Sequence, residues 1–164
     1  VMTQLPAIGF AAWSGTGKTT LIEKLVRELK ARGSRVALIK HDAHKFEIDK
    51  EGKDSWRFSQ AGADMTLISS ETKTAIIEQR SRSFEENLGM IHDVDVILVE
   101  GYKQENIPRI GISRNATGKG LPHDVKTYAA IVTDDAELFQ KGITVFGLED
   151  ISAIADFIQN LARL

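Results

Sequence analysis

The chain has 164 residues, the usual size of one domain, and we expect a single domain over residues 1–164. Hydrophobic residues make up 42% and charged residues 27% of the sequence, which is the composition of a globular protein and excludes a disordered tail. The formal net charge of -2 provides no basic field for holding nucleic acid, so we expect no nucleic-acid partner. With no cysteine, the chain can form neither disulfides nor thiolate metal sites.

No apolar stretch reaches the length that a membrane span needs, so we expect no membrane partner. The apolar run at 6–13 has no basic residue before it and continues into a glycine-rich turn, so it lacks the pattern of a secretion signal. The lack of cysteine is compatible with a reducing compartment. We therefore expect a cytoplasmic protein.

Short apolar runs rich in β-branched residues alternate with amphipathic stretches along the chain. This alternation is typical of strands joined by crossover helices, and it predicts an α/β fold with a mostly parallel sheet. The predicted strands are 5–12, 35–40, 65–70, 74–78, 94–99, 109–113 and 128–133, and we expect 65–70 to return to the main sheet. One predicted helix begins at Lys18 and ends before Gly33, and the others are 54–61, 84–92 and 151–162.

Two connections stand out from the predicted elements. The segment 41–53 is long and charged for a connection in a compact domain, which is more typical of a binding or switch segment than of a plain turn. The segment 115–120, NATGKG, has the composition of a flexible surface loop.

The first predicted strand leads into AWSGTGKT at residues 12–19, hereafter the phosphate loop. This segment matches the motif GxxxxGK[ST] except that Ala12 replaces the first glycine. The backbone N–H groups of residues 14–18 can converge on an anionic oxygen, and the helix that follows adds the positive end of its dipole. Ala12 needs only a negative φ, so the replacement is compatible with such a loop. The alternative is a glycine-rich turn that starts a helix for packing reasons alone.

Each residue type in the phosphate loop has a task in binding phosphate. Gly15 and Gly17 allow a positive φ and a close backbone approach. Lys18 can reach the β- and γ-phosphates, and Thr19 can place its hydroxyl on Mg²⁺. Trp13 either shields the loop by packing or presents a stacking face. The residues that we predict to bind the nucleotide are Ser14, Gly15, Thr16, Gly17, Lys18, Thr19 and Thr20.

Glu100 follows the apolar run 96–99 and precedes Gly101, so we expect its carboxylate at the carboxyl end of a strand beside the phosphate loop. There it can bind Mg²⁺ or orient an attacking water. The alternative is a cap for a helix or loop. We therefore predict Lys18 and Glu100 as catalytic residues, and Thr19 and Glu100 as metal ligands.

The long segment after the second predicted strand carries further candidates. Asp42, Asp49 and Asp54 are each candidates for completing the magnesium site or forming a nucleotide-dependent switch, although acids in loops commonly serve solubility alone. His41 and His44 lie three residues apart, without other clear ligands for a metal.

The second half of the chain carries basic residues that could form a cationic rim for a phosphorylated ligand, or could simply be solvated. The NKxD tetrad that selects guanine in Ras-like GTPases is absent, and Thr133-Asp134-Asp135 is a candidate substitute. The basic candidates are Lys103, Arg109, Arg114 and Lys119.

Four sequence blocks follow one another through nearly the whole chain: FAAWSGTGKTTL, LIKHDAH, DKEGKDSWRFSQAGAD and DVILVEGYKQENIPRI. In content and order they resemble the MobB family of molybdopterin-guanine dinucleotide biosynthesis proteins. A phosphate loop alone could not supply this combination. The resemblance implies a P-loop NTPase-like, three-layer α/β fold with a mostly parallel sheet.

The same resemblance implies a GTP-binding protein, often a homodimer, that acts as an adapter beside a MobA-type guanylyltransferase when the molybdenum cofactor receives its nucleotide. The implied cofactors are GTP and Mg²⁺, and molybdopterin or its guanine dinucleotide is a further implied partner. By this resemblance, Glu100 is the Walker B acid. Because the sequence shows no obvious finger residue, we expect slow hydrolysis, at or below roughly 10⁻² s⁻¹ for the protein alone, as in unassisted GTPases. The GTP-binding residues carried over are Gly15, Gly17, Lys18 and Thr19.

Two other functions remain open. A small-molecule kinase could use the same phosphate loop with 115–120 as a lid, but it needs an acceptor pocket and arginines that close over the phosphoryl group, and only Arg114 lies near that segment. A non-enzymatic carrier of the pterin or its nucleotide would leave GTP bound but uncleaved. Analysis of the products distinguishes all three functions.

Overall fold

A computed structural model describes residues 6–42, 44–140 and 142–163. The chain forms two compact units: one runs up to His41 and resumes at Leu88, and the other comprises Asp42–Asn87. The single domain over residues 1–164 stays a prediction. No helix in the described part of the chain is long and apolar enough to cross a membrane.

The helices and strands follow the predicted alternation. In chain order they are β1 (Ala7–Ala11), α1 (Lys18–Ala31), β2 (Val36–Lys40), α2 (Asp54–Gln60), β3 (Met65–Ser69), β4 (Thr74–Glu78), α3 (Phe84–Gly89), β5 (Val96–Glu100), β6 (Arg109–Ser113), β7 (Ala130–Thr133), β8 (Val145–Phe146) and α4 (Ile151–Ala162).

The first unit is built on a six-stranded sheet in the order β2-β5-β1-β6-β7-β8, and every neighbouring pair is parallel. Strand β1 lies between β5 and β6, with Phe10 opposite Glu100 and Ala11 opposite Gly111. Parallel strands end at the same edge of a sheet, and ligands of open α/β sheets bind at this edge, where the chain order reverses. This topology therefore brings the segments that follow β1, β5 and β6 together.

Helices α1 and α4 cover one face of the sheet. Their apolar positions recur at helical spacing, so Leu25 and Leu29 of α1 and Ile154 and Ile158 of α4 join one core and are completely buried. Arg32, at the end of α1, links the two helices by hydrogen bonds. Its guanidinium donates to Glu28 in α1 and to Asp156, Gln159 and Ser152 in α4. The hydrogen bond to Asp156, followed by that to Glu28, raises the pKa of Arg32.

The second unit contains α2 and an antiparallel hairpin of β3 and β4, in which Met65 pairs with Glu78 and Leu67 with Ile76. Thr66 is buried, and its hydroxyl lies 3.3 Å from the Ser59 hydroxyl of α2. The hydrogen bond from the Arg82 guanidinium lowers the pKa of Glu78.

The prediction that 65–70 returns to the main sheet is wrong, because among the described residues β3 pairs only with β4, in a separate two-stranded sheet. A tight turn explains the difference: Ser70 N–H donates to Lys73 O at 2.8 Å and joins the strands locally.

Three smaller differences concern the bounds of other elements. Helix α3 ends at Gly89 instead of residue 92. Strand β8 was not predicted, because two residues are too few to show the alternation of apolar and polar residues that indicates a strand. Residue 5 of the first predicted strand lies outside the described residues.

Candidate functional site

The phosphate loop joins β1 to α1 through two glycines in the left-handed region. Gly15 has φ 81° and Gly17 has φ 96°, and Gly17 is the N-cap residue of α1. Ala12 keeps a negative φ, as its methyl group requires. No side chain of the described residues caps α1, so the N–H groups of its first turn remain available to an anion, and the helix dipole favours negative charge there.

Thr16 holds the loop in shape from the inside. Its side chain is buried, and its hydroxyl donates to Trp13 O at 2.7 Å. The Thr16 N–H points to the same carbonyl oxygen at 3.3 Å. Trp13 is 46% exposed, so its side chain is not packed inside the loop. The hydroxyl and the N–H of Thr16 therefore both hold the loop in shape.

Lys18 and Glu100 form an ion pair at the mouth of the loop. The distance from Lys18 Nζ to Glu100 Oε1 is 3.1 Å, and each side chain is 23% exposed. Glu100 lies there because it ends β5 beside β1. The two side chains line a cavity of about 450 Å³, and its other lining residues are Trp13, Ser14, Gly15, Gly17 and Thr19. The structure thus brings together most of the residues predicted for the site, whereas Thr16 and Thr20 line a different cleft.

The turn after Glu100 depends on a glycine and a close backbone contact. Gly101 has φ 88°, and a Cβ atom placed on it would lie 2.6 Å from His41 O. His41 N–H donates to Glu100 O at 2.9 Å. The His41 ring stacks on Tyr102 with a centroid distance of 4.5 Å. His41 therefore positions Glu100 mainly through its backbone, a role that sequence reasoning missed because it concerned only the ring as a metal ligand.

Arg109 does not belong to the cationic rim proposed from the sequence. Its guanidinium turns toward the chain after β5 and donates to the carbonyl oxygens of Gly101, Tyr102 and Glu105. Burial lowers the pKa of Arg109. The guanidinium has room because Gly9 has no side chain: a Cβ atom there would lie 2.8 Å from Arg109 Nη1. Arg109 thus supports the segment that follows Glu100.

Two other predicted rim residues do reach the phosphate loop. Lys119 Nζ donates to Ser14 O at 3.2 Å. Arg114 Nη2 lies 3.3 Å from the place where a Cβ atom of Gly17 would be. Lys103 is exposed.

The segment 115–120, predicted to be a flexible surface loop, contains a short 3₁₀-helix at Asn115–Thr117. It is tied to the end of β7, because Asn115 N–H donates to Asp134 Oδ1 at 2.7 Å. The segment Thr133-Asp134-Asp135 was the candidate substitute for the NKxD tetrad. The hydroxyl of Thr133 is buried and forms a hydrogen bond of 2.8 Å with the hydroxyl of Ser113. Asp135 lines a cavity at the ends of β6 and β7.

The comparisons with known proteins identify the family. Residues 7–134 match the family model described as "MobB: Molybdopterin guanine dinucleotide synthesis protein B". The chain belongs to the MobB family. It is 40% identical over 161 residues to a molybdopterin-guanine dinucleotide biosynthesis adapter protein of Haemophilus influenzae, covering 96% of this chain and 89% of the relative. It is 37% identical over 164 residues to the Escherichia coli protein of the same name, with 95% and 93% covered.

The crystal structure of Bacillus subtilis MobB superposes with a TM-score of 0.74 at 24% identity, covering 95% of this chain and 97% of that chain. At this identity the likeness concerns the fold. The predicted three-layer α/β fold with a mostly parallel sheet is therefore confirmed. Family membership places the chain among the proteins of molybdopterin-guanine dinucleotide biosynthesis.

In this MobB-family chain, the three loop acids proposed for magnesium belong to the second unit. Asp42 Oδ1 accepts from His44 N–H at 3.1 Å. Asp49 Oδ1 accepts from Lys50 N–H at 2.8 Å and from the Ser55 hydroxyl at 3.1 Å, while its buried Oδ2 has no partner within the described residues. Asp54 is in the first turn of α2, where the helix dipole stabilises a carboxylate. Their part in binding magnesium stays a prediction.

The close approach at Gly101 yields a stability prediction for this MobB-family protein. Gly101→Ala forces a left-handed alanine, which costs about 1–2 kcal/mol, and places its Cβ against a backbone oxygen, which adds about 1–3 kcal/mol. Gly33→Ala is the matched control, because Gly33 has a similar φ of 85° but no atom within 4 Å of an added Cβ. Urea denaturation should show the larger loss in the free energy of unfolding for Gly101→Ala. Equal losses for the two variants would contradict the contact.

Proposed function

We propose that this chain is a GTP-binding adapter in molybdopterin-guanine dinucleotide biosynthesis, with slow Mg²⁺-dependent GTP hydrolysis. The observation that supports nucleotide binding is the phosphate loop itself: two left-handed glycines, an uncapped helix N-terminus, and Lys18 paired with Glu100 beside the cavity. Backbone amides, a helix dipole and a lysine together are the recurring means by which proteins bind polyphosphates.

The ion pair between Lys18 and Glu100 is compatible with binding of Mg²⁺ and GTP at this site. A partly exposed ion pair of this kind contributes at most about 1 kcal/mol to stability, so its two charges can separate at little cost. Lys18 can then bind the β- and γ-phosphates, while Glu100 and the Thr19 hydroxyl hold Mg²⁺, either directly or through water. Mg²⁺ neutralises charge on the phosphates and prefers oxygen ligands. Glu100 can also orient the attacking water.

The adapter role rests on the relatives, whose names describe adapter proteins of molybdopterin-guanine dinucleotide biosynthesis. We propose a MobA-type guanylyltransferase as the protein partner, and molybdopterin or its guanine dinucleotide as the pathway ligand. A cytoplasmic protein that binds neither membranes nor nucleic acid fits this proposal, and its formal net charge of -2 gives no attraction to nucleic acid.

Lys18→Ala tests nucleotide binding. The variant loses the charge-assisted contact to the phosphates, so its affinity for Mg·GTP should fall by more than about 2 kcal/mol, or about 30-fold, in isothermal titration calorimetry. Lys30→Ala is the control: it removes an equal charge from the last turn of α1, away from the phosphate loop, and should bind like the wild type. Unchanged affinity in Lys18→Ala would contradict the assignment of Lys18 to the phosphates. Equal wild-type affinity for ATP and GTP would defeat guanine selection.

Hydrolysis by the protein alone should be slow. We expect a steady-state turnover at or below roughly 10⁻² s⁻¹, as in unassisted GTPases, with GDP and free phosphate as products. Glu100→Gln should lower this rate at least about 10-fold, because it removes the carboxylate that binds Mg²⁺ or orients water. Glu23→Gln, an exposed acid of α1, should retain the wild-type rate. A wild-type rate above roughly 1 s⁻¹, or phosphoryl transfer to a small acceptor, would contradict the proposal.

The proposed homodimer is supported by an apolar face on the hairpin of the second unit. Met65 and Leu67 point to the same side of β3, and Ile76 pairs with Leu67 across the hairpin, so these three side chains form one face. All three are about half exposed. We define them as the hairpin face, and we propose that a second copy of the chain covers it, because clustered apolar side chains on a strand surface favour association.

Leu67→Glu tests this interface. A carboxylate within the hairpin face should oppose burial against a second copy and convert the dimer to a monomer at micromolar concentration in sedimentation velocity. Thr72→Glu is the control, because it adds the same charge at the exposed turn between β3 and β4 and should remain dimeric. A wild-type monomer, or a dimer that persists in Leu67→Glu, would exclude this interface.

A further inference from the structure

Arg114 occupies an electrostatically unusual position. It is the first residue after β6, and its guanidinium lies over Gly17, the N-cap residue of α1. The helix dipole places positive potential at this end, so a cation here is repelled by the helix. An anion between Arg114 and the helix N-terminus would reverse this interaction, because both would then attract it.

The charges around the phosphate loop are unbalanced. Among the described residues, three cationic side chains reach the loop, and only Lys18 has a carboxylate partner, Glu100. Lys119 donates to a carbonyl oxygen of the loop instead. Arg114 forms no ion pair or side-chain hydrogen bond within the described residues. The exposed Arg114 guanidinium therefore keeps its full set of donors for a ligand.

Arg114 and Lys18 line different cavities, and Gly17 borders both. Lys18 and Glu100 line the cavity of about 450 Å³ that we assign to the terminal phosphate and the metal. Arg114 lines a narrow cleft with Thr16, Gly17 and Thr20. It also borders a separate cavity of about 540 Å³ at the ends of β6 and β7, which is large enough for a nucleoside. Arg114 thus stands between the loop and this cavity.

We propose that Arg114 binds the α- and β-phosphates of the nucleotide and directs the nucleoside into the cavity at the ends of β6 and β7. This inference rests on the proposed function, and it assigns Arg114 to the part of the ligand that GDP and GTP share. The planar guanidinium suits the task because it can donate two parallel hydrogen bonds to phosphate oxygens. Lys119 on Ser14 keeps the segment 115–120 against the loop, which holds Arg114 near it.

The test compares GDP and GTP binding by calorimetry at a fixed Mg²⁺ concentration. Arg114→Gln should weaken both nucleotides by the same factor, about 10- to 100-fold, because a charge-assisted contact to shared phosphates is lost. The ratio of the two Kd values should stay at its wild-type value. Arg114→Lys should retain part of the affinity, since it keeps the charge but not the fork of donors. Arg27→Gln, an exposed arginine of α1 with the same change of charge, should bind like the wild type.

The outcomes separate this inference from the proposed function. A wild type that binds neither nucleotide would overturn both. A wild type that binds both, with Arg114→Gln binding equally well, would overturn only the role of Arg114. Selective weakening of GTP in Arg114→Gln would place the guanidinium at the γ-phosphate and also overturn the assignment. Arg114 is exposed, so loss of folding is not expected; if Arg114→Gln nevertheless unfolds on heating earlier than Arg27→Gln, the Kd values of Arg114→Lys decide in its place.

Discussion

The parallel pairing of β1 with β5 is the constraint on which the candidate site depends. It places Phe10 opposite Glu100, so the phosphate loop and the acidic end of β5 emerge at the same edge of the sheet. Lys18 and Glu100 meet at 3.1 Å for this reason, although they are far apart along the chain. A slip of one residue in this register would turn Glu100 to the other face of the sheet and separate the pair.

A second set of contacts makes that alignment precise enough for binding. The turn at Gly101 admits the carbonyl group of His41, and Arg109 supports the segment beyond it through three carbonyl oxygens. Gly9 leaves the space in which the Arg109 guanidinium lies. These residues touch no proposed ligand group, yet they determine where the Glu100 carboxylate points. A site that binds phosphate needs such supporting residues, because small displacements of its binding groups weaken the binding.

Much of the fold could be predicted because its signals are local. The spacing of apolar residues in α1 and α4 and the β-branched runs of β5 and β7 appear directly in the sequence. The pairing of strands is not local, and for that reason β3 was wrongly assigned to the main sheet. Its four-residue connection to β4 favours a hairpin, but a short apolar strand fits either arrangement. Strand β8 was missed because two residues show no period.

The sequence by itself determined the phosphate loop, the acid at the end of β5 and the alternation of strands and helices, because each is encoded within a few neighbouring residues. Only the tertiary structure decided which basic residues approach the loop. Arg109 and Arg114 look equivalent in the sequence, yet Arg109 turns toward backbone carbonyls while Arg114 lies over Gly17. The physical reason is that Arg109 begins β6 whereas Arg114 follows its carboxyl end, and the surroundings of each side chain come from distant parts of the chain.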